Sequence, residues 1–111
     1  MTTIERPAKS LFTQDELEHF YKPTKSDAAF VKNRAIDETQ QLSRMILLKA
    51  FQKLGYLPKL DDVSVSVGKY IAKQMQRPWP EQLHDLPRMT RSRYRQAIYT
   101  YLDIKAFRDG G

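Results

Sequence analysis

Cysteine is absent from this 111-residue chain, which excludes a disulfide scaffold, a thiolate metal site and a cysteine nucleophile, and fits a reducing cytoplasm. Glycine is scarce at four residues, and no glycine-rich phosphate loop or nucleophile elbow can be drawn through Gly55, Gly68, Gly110 and Gly111. The two histidines, His19 and His84, stand far apart with no acidic partner at metal-ligand spacing, so no zinc site is expected. Asp61 and Asp62 are adjacent acids between apolar stretches and read as turn and helix-start charge rather than a catalytic pair. No apolar run approaches the roughly 20 residues that span a bilayer, and nothing at the N-terminus resembles a signal peptide. These gaps together predict a soluble, cytoplasmic domain that is not an enzyme, with no cofactor, metal, small-molecule substrate or membrane contact.

What the chain does have is positive charge, +6 net, unevenly spread. Basic and acidic residues balance up to Asn33, and a basic surplus follows between Arg34 and Leu60. Acidic residues slightly outnumber basic ones between Asp61 and Leu86, and the surplus returns from Pro87 onward. The sharpest concentration runs from Arg88 to Arg95, where five of eight residues are arginine or tyrosine and an apolar stripe begins at once. A helix start carries free backbone N–H groups and partial positive charge, so arginines placed there reinforce a site that already favours anions. Nucleic acid is the partner such a pattern points to first, against the plainer reading of a solvated basic surface.

The periodicity is helical almost throughout and predicts an all-α, compact bundle of about five to six helices. Thr13 and Glu16 stand at capping-box spacing ahead of Leu17, Phe20 and Tyr21, and Pro23 stops that helix. Ser26 is the expected cap of a second short helix carrying Ala29, Phe30 and Val31. The longest helix is expected from Glu38 to Leu54 with a wide apolar face, closed by Gly55 and kept closed by Pro58. A further helix is expected over about Ser64 to Gln76, its buried side formed by Val67, Tyr70, Ile71 and Met75. The only strand-like alternation, VSVSV, is read as its start. Pro80 is placed to open a short helix through Leu86, with Thr90 then capping the last helix. That order is compatible with a helix-turn-helix arrangement in the C-terminal half, and equally with any small helical bundle.

In the last helix Tyr94, Ala97, Ile98, Tyr101 and Leu102 follow i, i+3, i+4, i+7, i+8, so Tyr94 and Tyr101 are expected in the core rather than stacked on bases. At about 100° per residue, Arg93 and Arg95 fall on opposite flanks of that stripe, Arg91 lies near its edge, and Ser92 and Gln96 point outward. Flanking arginines suit a helix that clamps phosphates on both sides of a groove, while Ser92, Gln96 and Arg93 are the candidates for base edges. The competing reading for Arg91 and Arg95 is packing of their stems against neighbouring helices. Arg88 completes the leading set. Lys69, Lys73 and Arg77 on the preceding helix, and Arg34, Arg44 and Lys49 in the central basic block, are weaker candidates for phosphate contacts. Trp79, between two prolines, is either a plug at the core edge or an exposed partner anchor.

Four segments in order resemble the N-terminal domain of the large transposases of class II replicative transposons, the Tn-three family. They are FTQDELEHFYKPTKSDAAFVKNRA, QQLSRMILLKAFQKLGYLP, VGKYIAKQM and TRSRYRQAIYTYLDI, and the resemblance spans Leu11 to Arg108. Matching positions include Leu54, Gly55, Leu57 and Pro58 at the close of the long helix and Thr90, Arg91, Ile98, Tyr101 and Leu102 in the last one. The chain departs from the family pattern at Gln40 to Ser43, at Tyr94 where histidine is frequent and at Asp103 where glycine is frequent. The resemblance implies a module that recognises the terminal inverted repeats of a transposon as double-stranded DNA. It also implies that metal-dependent cleavage belongs to a distant domain and that self-association belongs to a longer protein. On that reading residues 1–10 form a flexible tail, residues 11–108 the single DNA-binding domain, and 109–111 the cut end of a fragment. The alternative from another class is a helical protein-interaction module that mediates transposase assembly through an apolar surface around Trp79.

Overall fold

The computed structural model describes residues 13–34 and 37–110, with only the helical backbone described for 104–110. The expected tail at 1–10 and the final Gly111 lie outside the described residues. Five α-helices and one 3₁₀ turn make up the described chain: α1 Gln14–Tyr21, α2 Lys25–Lys32, α3 Glu38–Leu54, the 3₁₀ turn Leu60–Asp62, α4 Val65–Gln74 and α5 Arg88–Gly110. No strand occurs among the described residues, and the all-α bundle expected from periodicity is present.

Each helix start is specified locally. Thr13 and Glu16 form the expected capping box on α1: the Glu16 N–H donates to Thr13 Oγ1 at 3.1 Å, and the Thr13 N–H donates to Glu16 Oε1 at 2.9 Å. On α2 the cap is Thr24, not Ser26. Thr24 and Asp27 exchange two 3.0 Å hydrogen bonds in a second capping box, and this reciprocal pair directly after Pro23 outcompetes a lone serine inside the first turn. Asp37 caps α3 through the Gln40 N–H, and Gly55 ends it in the left-handed region at φ 86°, a conformation glycine adopts without a Cβ penalty.

The end of α4 comes two residues earlier than periodicity suggests. Arg77 N–H donates back to the Ala72 carbonyl and Gln76 N–H to that of Lys73, a Schellman closure that puts Gln76 at φ 59°. From there to Pro87 the chain is irregular, and the short helix expected over Pro80–Leu86 does not form. Pro78 and Pro80 disfavour helical backbone at the residues before them, Arg77 and Trp79, and the Asp85 carboxylate is used across the fold, accepting from the Leu60 N–H at 3.0 Å and from Arg91 Nη1 at 3.2 Å. Leu83 and Leu86 pack against the core from this irregular strap. A tight turn between two helices is therefore missing from the C-terminal half. The last helix begins at Arg88, not after a Thr90 cap: the Pro87 carbonyl accepts the Arg91 N–H at 2.8 Å, and the fixed φ of Pro87 preorganises the entry.

The core sits around α3. Leu42, Met45, Ile46, Leu47 and Leu48 are each 0–1% exposed, matching the wide apolar face of its sequence. Val31, Val67, Ile71 and Ile98 bring α2, α4 and α5 onto it. Trp79 lies at the edge of this core, 38% exposed, with its ring over Gly68; a Cβ on Gly68 would stand 2.7 Å from the indole, so the close approach requires glycine.

Inside this apolar setting lies one fully buried carboxylate, Asp27. Its Oδ2 accepts from Lys49 Nζ at 2.9 Å and from the Thr24 N–H, and its Oδ1 accepts from the Tyr101 hydroxyl at 2.6 Å and from Gln52 Nε2 at 3.1 Å. Lys49 also donates to Gln52 Oε1 at 2.8 Å, so the cation is doubly held. Burial alone would raise the Asp27 pKa, but the Tyr101, Lys49 and Thr24 donors outweigh it and bring it down to about 2. A carboxyl held lower in the folded state than in the unfolded chain adds stability above the unfolded value, and that stability is lost as pH falls through the folded value. The expected outcome is a loss of about 2 kcal/mol from this group between pH ~4 and ~2. Urea unfolding across that range measures it: the stability gap between wild type and Asp27→Asn narrows by that amount as pH falls.

Candidate nucleic-acid interface

α5 is docked by three side chains, one isoleucine and two tyrosines. Ile98 is fully buried, Tyr94 donates its hydroxyl to the Arg44 carbonyl of α3 at 2.7 Å, and Tyr101 reaches Asp27 of α2. Phe30 stacks on the Tyr101 ring at 4.6 Å between centroids and lies 5.8 Å from that of Tyr94. Both tyrosines thus belong to the core and its margin, as their spacing predicts. Burial raises the Tyr94 pKa despite the opposing pull of Arg44 and Arg34, and the same holds in direction for Tyr101 beside Asp27.

With that stripe fixed, the N-terminal half of α5 stands with Ser92, Arg93, Arg95 and Gln96 all exposed. A concavity opens on each flank. The first, about 450 Å³, is lined by Arg88, Arg91, Ser92 and Arg95 of α5, with Tyr56 and Tyr99 on its walls. The second, about 230 Å³, brings Arg93 and Thr90 of α5 together with Arg34 and Arg44. Among the described residues no carboxylate lines either one. Concave surfaces of a single sign concentrate the field on a counter-ion, and the guanidinium fork matches the geometry of phosphate and carboxylate groups. Arginines on opposite flanks of the helix, expected from angular bookkeeping, are therefore present as two separate basic hollows.

The sequence-selected cations divide sharply by role. Arg91 is a strut: Nη2 donates to the Leu57 carbonyl at 2.9 Å, and Nη1 to the Pro58 carbonyl at 3.1 Å and to Asp85 at 3.2 Å. Arg77 is held by an ion pair with Glu38 and a 2.8 Å bond to Gln41 of α3. Lys49 is buried in its pair with Asp27 and has no path to a phosphate. Lys69 and Lys73 are exposed on α4 but line neither hollow. Arg88, Arg93 and Arg95 are exposed, and their side chains make no hydrogen bond or ion pair among the described residues. Sequence reasoning undervalued Arg34 and Arg44, which join Arg93, and passed over Tyr56 altogether. Arg34 does carry a signal, since it stands four residues after Phe30 and its guanidinium lies 4.2 Å from the centre of that ring.

An all-helical domain whose last helix is flanked by two arginine-lined hollows is the class of protein that fold and site define. The chain belongs to the family described as a domain of unknown function, DUF4158, whose model matches residues 4–111. No curated protein and no solved structure matches it. Among the described residues no helix is long and apolar enough to cross a membrane, and no group of three or more histidine, cysteine, aspartate or glutamate side chains could hold a metal ion.

The division of arginines has a measurable consequence. Arg91→Ala removes the guanidinium that serves the Leu57 and Pro58 carbonyls and pairs with Asp85, and is expected to cost about 1–3 kcal/mol. Arg88→Ala and Arg95→Ala are expected to stay within about 0.5 kcal/mol of wild type. Urea denaturation of the three variants distinguishes strut from free cation.

Proposed function

We propose that this domain binds double-stranded DNA with the N-terminal half of α5. Arginines on its two flanks hold phosphates, and the outward residues Ser92 and Gln96 face the base edges. The observation that carries this reading is the pair of carboxylate-free basic hollows with the exposed helix face between them. Phosphate contacts on both sides fix the register of a helix against a groove, and sequence is then read by the few side chains between them. The resemblance of four ordered segments to the opening domain of Tn-three family transposases supports a specific duplex, the terminal inverted repeats of a replicative transposon. On this reading the domain recognises the transposon end and contributes no catalytic group to DNA transposition.

A second reading, a module for transposase assembly, draws on one feature. A groove of about 270 Å³ beside Trp79 is lined by Val65, Leu83 and Ile46, and Val65 is 57% exposed at its rim. Its lining carries Asp61 and Glu81 rather than basic residues, so it is chemically distinct from the α5 hollows.

With about three to four phosphates neutralised, log K is expected to fall against log salt with a slope of about −2.7 to −3.6. Fluorescence anisotropy with an inverted-repeat duplex and a scrambled duplex, repeated across salt concentrations, measures it. Arg93→Ala and Arg95→Ala are each expected to reduce the slope by about 1. Absence of binding to either duplex at low salt contradicts the reading. Equal binding of both duplexes shows docking without recognition of the transposon end.

A further inference from the structure

Arg44 is an anomaly in the hydrogen-bond bookkeeping of this fold. Its Nε and Nη1 are buried and have no hydrogen-bond partner among the described residues. Buried donors are almost always satisfied, and a charged donor left unsatisfied is among the more costly defects a fold can carry. The guanidinium lies 5.5 Å from the centre of the Tyr94 ring, and Tyr94 is itself anchored to the Arg44 carbonyl, so ring and backbone are locked together. Across the same hollow Arg34 rests on Phe30 and donates weakly to its carbonyl at 3.4 Å, and Arg93 comes in from α5.

Three arginines from three parts of the chain thus converge on one hollow of about 230 Å³, two of them seated on aromatic rings, with Thr90 also on its lining. Like charges brought together without a counter-charge repel, and an anion between them relieves that repulsion. Seating two guanidinium groups on rings also removes part of the side-chain freedom that binding would otherwise have to freeze. We propose that Arg34, Arg44 and Arg93 form a built phosphate seat, in which one phosphate group engages the three guanidinium groups and bridges α5 to the rest of the domain. The inference deepens the DNA reading by naming the point where one backbone phosphate is gripped most firmly. The same chemistry would accept a free phosphate, so the two sources are separated by experiment.

Isothermal titration of the whole chain with inorganic phosphate, at ionic strength held constant with chloride, reads the seat directly. One saturable site is expected. Arg93→Ala, an exposed position that leaves the core intact, and Arg44→Met, which replaces the unmet donors by an apolar stem, should each weaken it by at least about tenfold. Arg44→Met is also expected to raise the melting temperature in chloride while abolishing the further rise that phosphate gives the wild type. A purely structural Arg44 would lower the melting temperature in both. Absence of saturable phosphate binding, or binding that both variants retain, overturns the seat. Duplex binding supplies the other arm: phosphate binding that depends on Arg44 without any duplex binding keeps the seat and removes the DNA reading. Duplex binding whose salt slope is unchanged by Arg44→Met, with no phosphate binding, does the reverse.

Discussion

A carboxylate shut away from water, Asp27, ties together the three helices that present the basic surface. Lys49 of α3 neutralises it, Tyr101 of α5 donates to one oxygen, and the start of α2 closes on the other through the Thr24 capping box. A buried ion pair of this kind gives little net stability against an apolar alternative, but losing one partner costs about 3–5 kcal/mol because the other charge is stranded. Its value here is positional. Tyr101 accepts only one rotation of α5 about its own axis, and the hydroxyl of Tyr94 two turns earlier imposes the same one. Once that rotation is set, Arg93 must fall on the side of Arg34 and Arg44, and Arg88 and Arg95 on the side of Tyr56.

Charge in this domain is therefore not one quantity. Of the basic side chains singled out by pattern, Lys49, Arg77 and Arg91 are consumed in holding the fold, each against a named acceptor. Arg91 joins the loop after α3, the strap before α5 and α5 itself, a task that the planar fork performs and an ammonium would not. Apart from Lys69 and Lys73 on α4, the exposed remainder is concentrated around the first turns of α5. A positive total made of struts would say nothing about a partner; a remainder left free on two concave surfaces does.

Much of the architecture was legible in the chain. The stripe Tyr94, Ala97, Ile98, Tyr101, Leu102 gave the buried face of α5, the Thr13–Glu16 spacing gave the start of α1, and Gly55 gave the end of α3, because each depends on neighbours within a few residues. What could not be read were contacts over long separations. Nothing near Asp85 announces that its carboxylate serves Leu60 and Arg91 and so keeps residues 80–86 out of a helix. Likewise nothing near Asp27 announces Tyr101, 74 positions away. The same limit applies to the site: the flanking of arginines followed from helical geometry, whereas the joining of Arg34 and Arg44 to Arg93 required the tertiary fold.

Two faces of the molecule compete for the role of contact surface, the arginine flanks of α5 and the apolar groove beside Trp79. They are lined by different residues of opposite charge, and backbone amides report on each independently. Titration of the ¹⁵N-labelled chain with an inverted-repeat duplex, followed by amide chemical shifts, decides between them. The account predicts the largest changes at Ser92, Arg93 and Gln96 and at Arg34 and Arg44, with Val65 and Trp79 nearly unmoved. Changes centred on Val65 and Trp79, or no changes at a low salt concentration, would contradict it.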